Sequence, residues 1–157
     1  MAMDAREHQA GRFRTYELSD LLPECQMTCD PRSRTVMLTR IDQEQKNVIL
    51  EVQKFTNVEY PLLIALLDEH PDYCPYAELL GIFNRESQEI SQERILEAQG
   101  EGAVDGVMRP LRNVMSRVRL KFVLFGADIS AVMDTGYALV PIHRKRYIMH
   151  RGQYDNN

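Results

Sequence analysis

Side chains suited to nucleic-acid contacts recur on one side of the segment 103–119. With an advance of about 100° per residue, one side of a helix carries the following residues: Gly106, Arg109, Asn113, Ser116 and Arg117, with Arg112 on its flank. Arginine binds guanine or phosphate through a planar pair of donors, and asparagine can pair with adenine in the same manner. The spacing therefore predicts a helix that contacts nucleic acid. The alternative is that these arginines only solvate the outside of an amphipathic helix.

The opposite side of the same segment is apolar. Its large apolar residues follow one another in steps of four and three, which is typical of a helix that packs on a core: Val104, Met108, Leu111, Met115 and Val118. Pro110 interrupts this pattern, because a proline inside a helix costs about 3 kcal/mol. The sequence predicts a helix that starts between 103 and 110 and ends near 119. It either kinks at the proline or becomes regular only near it.

Charge is unevenly distributed along the 157 residues. Residues 1–102 contain 10 Lys or Arg and 19 Asp or Glu, a net charge of −9, whereas residues 103–151 contain 9 and 3, a net charge of +6. Attraction to phosphates depends on the local potential within about 8 Å, so a basic third can bind DNA although the whole chain is acidic. The residues predicted to contact phosphates lie in this part: Lys121, Arg144, Lys145 and Arg146. The alternatives are a chance asymmetry, an intramolecular contact, or a tail that only keeps the domain soluble.

No residue pattern indicates an enzyme, a cofactor or a metal. The sequence has no phosphate-binding loop and no nucleophile elbow, and its four histidines form no pair spaced by four residues. Cys25, Cys29 and Cys74 are too few for a disulfide framework and lack histidines at ligand spacing. Neither an apolar signal segment nor a run of about 18 apolar residues is present. We therefore expect a cytoplasmic, nucleoid-associated protein with no membrane partner.

The first third of the chain predicts strands. Thr35–Thr39 and Val48–Val52 are rich in β-branched and apolar residues, and turn residues at 30–33 precede the first of them. These features predict an N-terminal antiparallel sheet within residues 13–55, after a flexible arm at 1–12. The stretch 18–22 is equally compatible with a helical turn.

Two helices are predicted next, at the start of a helical core that spans 56–119. Thr56 and Glu59 have the spacing of a capping box, in which each side chain accepts a hydrogen bond from the backbone N–H of the other residue. The first helix therefore begins near Thr56 and stops before Pro71. A shorter helix runs from about Pro75, a residue suited to the first helical position, to Phe83.

A polar segment and a hairpin flank the arginine-bearing helix. Residues 84–102 contain few large apolar side chains and are predicted to form a long loop, functional or disordered, with a solvated helix as the alternative. Ile129–Met133 and Tyr137–Ile142 are predicted strands of a hairpin within residues 122–142. Gly136 is predicted to supply the positive φ of its turn.

Four stretches, in this order, resemble the OmpR/PhoB-type winged helix-turn-helix, the output domain of many bacterial response regulators. Residues 49–67, ILEVQKFTNVEYPLLIALL, resemble the family's strand and its Leu-Thr-x-x-Glu-aromatic-x-Leu-Leu first helix. Residues 70–83, HPDYCPYAELLGIF, resemble its turn and short second helix. Ala103-Val104-Asp105 and Leu111-Arg112 resemble parts of its recognition helix, and residues 129–140 resemble its wing.

The resemblance covers roughly residues 25–142 and implies an α+β fold. This fold is a winged helix-turn-helix with an N-terminal antiparallel sheet, a three-helix core and a C-terminal β-hairpin wing, here within residues 13–142 and followed by a basic tail at 143–157. The implied function is that of a DNA-binding transcription regulator, here without an attached receiver domain. Helix 103–119 would enter the major groove of double-stranded DNA, and the wing would touch the adjacent minor groove. In this family the region equivalent to 84–102 can contact RNA polymerase.

The chain departs from this family at its wing and in its helix. Met133 and Asp134 stand where the wing usually has an arginine and a glycine, and Ala138 stands where it usually has an arginine. The family's arginine pair is replaced by Arg109-Pro110. An acidic wing tip repels a minor groove. The alternative function is therefore a winged-helix interaction module that binds RNA polymerase, another regulator or a second copy of the chain as a homodimer.

Overall fold

The computed structural model describes residues 12–142, which form an α+β fold with two antiparallel sheets and four α-helices. In chain order the elements are β1 Arg14–Tyr16, β2 Cys25–Asp30, β3 Thr35–Ile41, β4 Asn47–Lys54, α1 Glu59–Glu69, β5 Cys74–Pro75, α2 Tyr76–Asn84, α3 Gln88–Glu101, α4 Val104–Phe122, a 3-10 turn Val123–Phe125, β6 Ala127–Val132 and β7 Gly136–Pro141. The predicted N-terminal antiparallel sheet, short second helix and C-terminal hairpin are present.

The N-terminal sheet has the strand order β1-β2-β3-β4, and every neighbouring pair is antiparallel. Alternate residues point to opposite faces of a strand, so Met27 and Cys29 of β2 are buried together with Val36 and Leu38 of β3. The stretch 18–22 forms a single helical turn, in which the Leu22 N–H donates to the Leu18 carbonyl at 2.6 Å. The sheet thus covers one side of the helical core.

The outer edge of this sheet is strand β4. Its register against β3 shifts between Leu38 and Thr39, the mark of a β-bulge. Ile49, Leu50 and Val52 are exposed there. The backbone N–H of Val52 donates to the carboxylate of Glu51 at 3.0 Å. The edge therefore combines apolar side chains with an interrupted backbone ladder.

The predicted capping box at the start of α1 is confirmed. The Thr56 N–H donates to Glu59 Oε1 at 2.9 Å, and the Glu59 N–H donates to Thr56 Oγ1 at 3.2 Å. The helix is regular from Glu59, so Pro61 lies in its first turn, where a missing N–H is tolerated. Its last residue is Glu69, shortly before Pro71 as predicted.

The second helix starts one residue later than predicted. Pro75 is extended, with ψ 149°, and belongs to β5, so Tyr76 is the first residue of α2. Strand β5 pairs with β7 and completes a three-stranded sheet in the order β5-β7-β6. The Tyr76 N–H donates to the Thr135 carbonyl at 3.1 Å, so the hairpin turn is bonded to the start of α2.

The long loop predicted for 84–102 is absent, and the alternative of a solvated helix is correct, because residues 88–101 form helix α3. Ser87 caps this helix by accepting a hydrogen bond from the Ile90 N–H at 3.3 Å, and Gly102 ends it with φ 69°. Only a narrow stripe of α3 is buried: Ser91, Ile95 and Ala98. The helix is therefore a largely solvated element between α2 and α4.

Helix α4 is longer than predicted. It runs from Val104 to Phe122 rather than ending near Arg119, and the 3-10 turn extends it until Gly126 adopts φ 103°. Residue 122 is consequently part of the helix and not of the hairpin. Its ring is fully buried in the core. Pro110 lies inside α4, which is regular from Val104, so the idea of a helix that begins near Pro110 was wrong.

The hairpin turn differs from the prediction in its glycine. Asp134, not Gly136, has the positive φ, at 55°. Gly136 is the first residue of β7 and is buried against β5. A Cβ atom on Gly136 would lie 2.0 Å from the Cys74 carbonyl oxygen. The glycine is therefore required by close backbone packing rather than by turn conformation.

Candidate nucleic-acid interface

The outer face of α4 is the candidate interface, which we define by six side chains: Asp105, Arg109, Arg112, Asn113, Ser116 and Arg117. All six are exposed, as predicted for the five of them singled out as DNA contacts. The predicted apolar stripe faces inward: Met108, Leu111, Met115 and Val118 are each at most 1% exposed, and Val104 is half-buried. The helix therefore presents one polar, arginine-bearing side to solvent.

Asp105 joins two of the arginines at the start of this face. Its Oδ2 accepts a hydrogen bond from Arg109 Nη2 at 2.5 Å, and its Oδ1 accepts one from Arg112 Nη1 at 2.6 Å. The hydrogen bond and charge of Arg109, with a smaller contribution from Arg112, lower the pKa of Asp105. The carboxylate is therefore ionised at neutral pH, and it also lies in the first turn of α4, where negative charge is favourable.

Lys121, predicted to contact phosphates, is directed into the protein instead. Its Nζ donates to Glu59 Oε1 at 2.6 Å and to the Lys54 carbonyl at 3.0 Å, and it lies 5.3 Å from the centre of the Phe55 ring. Because Glu59 is 1% exposed, this contact ties the end of α4 to the start of α1. Lys121 is therefore not part of the α4 outer face.

Arg117 and Ser116 remain on the outer face although each has an internal contact. Arg117 Nε lies 3.9 Å from Glu59 Oε2, but the side chain is 62% exposed, so most of its guanidinium donors are free of Glu59. The Ser116 hydroxyl donates to the Arg112 carbonyl at 3.0 Å and keeps its acceptor capacity. Asn113 lies on the same exposed face. These three polar side chains can still bind a ligand.

A second arginine–carboxylate pair, absent from the sequence predictions, connects α4 to the hairpin. Arg119 donates through Nε and Nη2 to the two carboxylate oxygens of Asp128 at 2.7 and 3.0 Å. The hydrogen bond that Arg119 donates to this carboxylate raises the pKa of Arg119. The nine-residue separation crosses the 3-10 turn, so helical periodicity could not have revealed the pair. It fixes strand β6 relative to the last turn of α4.

The hairpin presents one apolar residue at its tip. Met133 is 87% exposed and is followed by Asp134. Below the tip, an open groove separates α4 from the hairpin and is lined by Met115, Ser116, Arg119, Asp128, Ile129, Ser130, Ala131, Tyr137, Val140 and Pro141. The hairpin and the second half of α4 therefore share one surface.

No family model, no curated protein and no solved structure matches the chain. Within residues 12–142, no helix is both long enough and apolar enough to cross a membrane. In the same part of the chain, no three or more His, Cys, Asp or Glu side chains are grouped as metal ligands would be. The predicted phosphate contacts Arg144, Lys145 and Arg146 lie outside the described residues.

Proposed function

We propose that the protein is a DNA-binding transcription regulator of the winged-helix type. The observation that carries the proposal is the outer face of α4, on which Arg109, Arg112 and Arg117 lie exposed beside Asn113 and Ser116. Successive turns of a helix that lies in the major groove can place such side chains against base edges and phosphates. In a bacterial cell this activity would place the protein on the nucleoid.

The arrangement around α4 supports a winged helix. Helices α1, α2 and α4 pack on one core, and the β6–β7 hairpin follows α4 directly. Strand β5, between α1 and α2, pairs with β7 and holds the hairpin against the helices. A helix followed by a braced hairpin is suited to contact two adjacent grooves of DNA. Helix α3 is an addition to the three-helix core expected from the sequence.

The test is a fluorescence-anisotropy titration of a labelled, mixed-sequence duplex at several salt concentrations. For the Arg109→Ala/Arg112→Ala variant we expect binding weakened roughly 30- to 100-fold at low salt, because two arginines that reach base edges are removed. The matched control is Arg32→Ala/Arg40→Ala, which instead removes one exposed arginine from the β2–β3 turn and one from β3. The proposal fails if the wild type does not bind at low salt, or if both double variants bind with the same affinity.

A protein-interaction module is the second candidate, and helix α3 is the observation that favours it. Ile90 and Leu96 are 46% and 56% exposed on α3, beside Glu89, Glu93 and Glu97. An exposed helix with apolar and acidic side chains can bind a basic protein surface, such as that of RNA polymerase or another regulator.

This candidate predicts loss of a protein contact without loss of DNA binding. The Ile90→Ser/Leu96→Ser variant should no longer retain purified bacterial RNA polymerase in a pull-down, whereas its anisotropy titration with DNA should match that of the wild type. Equal retention by both proteins would remove α3 as the contact surface. A mixture of two differently tagged copies in the same assay distinguishes a homodimer.

A further inference from the structure

Helix α4 contains one acidic residue, Asp105, and it lies among the side chains proposed to bind DNA. It contacts Arg109 and Arg112 with one carboxylate oxygen each, at 2.5 and 2.6 Å. A carboxylate that only stabilised the helix could do so with a single partner four residues away. Here it bridges two arginines on successive turns, so the two arginines carry +2 but the three groups together carry only +1.

Each of these contacts uses one terminal nitrogen of the guanidinium group. The Nε–H and the other terminal nitrogen of each arginine are not involved in the bond to Asp105. A phosphate that approached the two arginines would compete with the Asp105 carboxylate for their guanidinium groups, and the negative charge of the carboxylate would repel it. The O6 and N7 atoms of guanine are uncharged acceptors, and the free edge of a guanidinium group can bind them while Asp105 stays in place.

We infer that Asp105 is a specificity-determining residue, which suppresses phosphate binding by Arg109 and Arg112 and leaves their free edges for bases. The inference rests on the proposed DNA-binding function and assigns to the same helix face a control of its selectivity. The Asp105 carboxylate thus competes with the phosphates of the DNA backbone for these two arginines. Sequence-independent binding is weakened, and discrimination between sequences increases as a result.

The variant Asp105→Asn keeps the shape of the side chain and removes its charge. We expect it to bind a mixed-sequence duplex about five- to tenfold more tightly than the wild type near 0.1 M salt, with a slope steeper by about 1 to 2. The matched control is Glu101→Gln, which removes the same charge from the exposed end of α3, whereas the carboxylate that contacts both arginines is that of Asp105. In an Arg109→Ala/Arg112→Ala background, Asp105→Asn should gain no more than Glu101→Gln does, because only the general repulsion of one negative charge is then removed. Circular dichroism checks that α4 is intact in each variant.

A selection of bound duplexes from a random pool tests the second half of the inference. The wild type should enrich guanine-containing sequences more strongly than Asp105→Asn at the same salt concentration. If the wild type binds through its arginines but Asp105→Asn binds no more tightly than Glu101→Gln, the inference fails and the proposed function stands. If neither protein binds any duplex at low salt, both fail. Binding by Asp105→Asn alone would overturn the proposed function of the wild type, and with it the inference that rests on that function.

Discussion

We expect the Gly136→Ala variant to unfold roughly 10 °C below the wild type, a loss of about 3 kcal/mol. The added Cβ would lie 2.0 Å from the Cys74 carbonyl oxygen and 2.8 Å from its carbon. Both are backbone atoms, so no side-chain rotation can relieve the overlap. Strand β7 must instead move away from β5, which also breaks the bond between Tyr76 and Thr135. A thermal melt followed by circular dichroism measures the loss.

A second glycine provides the matched control for this prediction. Gly100 lies in α3, and a Cβ there would have no atom within 4 Å. Gly100→Ala should therefore be neutral or stabilising by up to about 1 kcal/mol, because alanine favours a helix more than glycine does. Equal melting temperatures for the two variants would mean that β5 and β7 are not packed as closely as described.

Glu59→Ala should lower the free energy of unfolding by about 3 kcal/mol. The substitution removes the carboxylate that caps α1 and leaves the partly buried Lys121 ammonium without its partner. It also removes the contact that joins α1 to the end of α4, so DNA binding should weaken together with stability. Denaturation in urea gives the free energy. The exposed Glu93→Ala on α3 should change it by less than about 0.5 kcal/mol.

The effect of Glu59 should depend on pH in a defined direction. Burial raises the pKa of Glu59, but the Lys121 ammonium and the Thr56 N–H outweigh burial, and the pKa is lowered overall. A lowered pKa stabilises the folded state above the ordinary glutamate value of about 4.3, and this stabilisation is lost as the pH falls through the folded-state pKa. The difference between the wild type and Glu59→Gln should therefore shrink as the pH falls below about 4. A constant difference from pH 7 to pH 3 would contradict the ion pair.

The sequence predicted structural features correctly where residues close together in the chain determine them. The capping box of Thr56 and Glu59 depends on residues three apart, and the burial of one side of α4 follows from its period. Helix α3 was given only as the alternative to a loop, because it buries so little apolar surface. Its signals were Ser87 as a cap, the spacing of Ser91, Ile95 and Ala98, and Gly102 as a terminator.

Contacts between distant residues could not be predicted from the same patterns. Lys121 lies on a basic helix, and nothing near it in sequence indicates that it would form an ion pair with Glu59, 62 residues away. The role of Gly136 was misassigned for a similar reason, because β5 approaches it from another part of the chain. The bridge from Asp105 to Arg109 could have been foreseen, since residues four apart are neighbours on a helix.

The outer edge of the N-terminal sheet, strand β4, affects whether copies of the protein associate in solution. A regular strand with apolar side chains such as Ile49 and Val52 is a template on which another strand can grow, and repeated growth leads to fibrils. The bulge in β4 bends this template, and the Glu51 carboxylate already occupies the Val52 N–H that an incoming strand would need. The bulge and the Glu51 contact should therefore hinder the pairing of this edge with a strand of another copy.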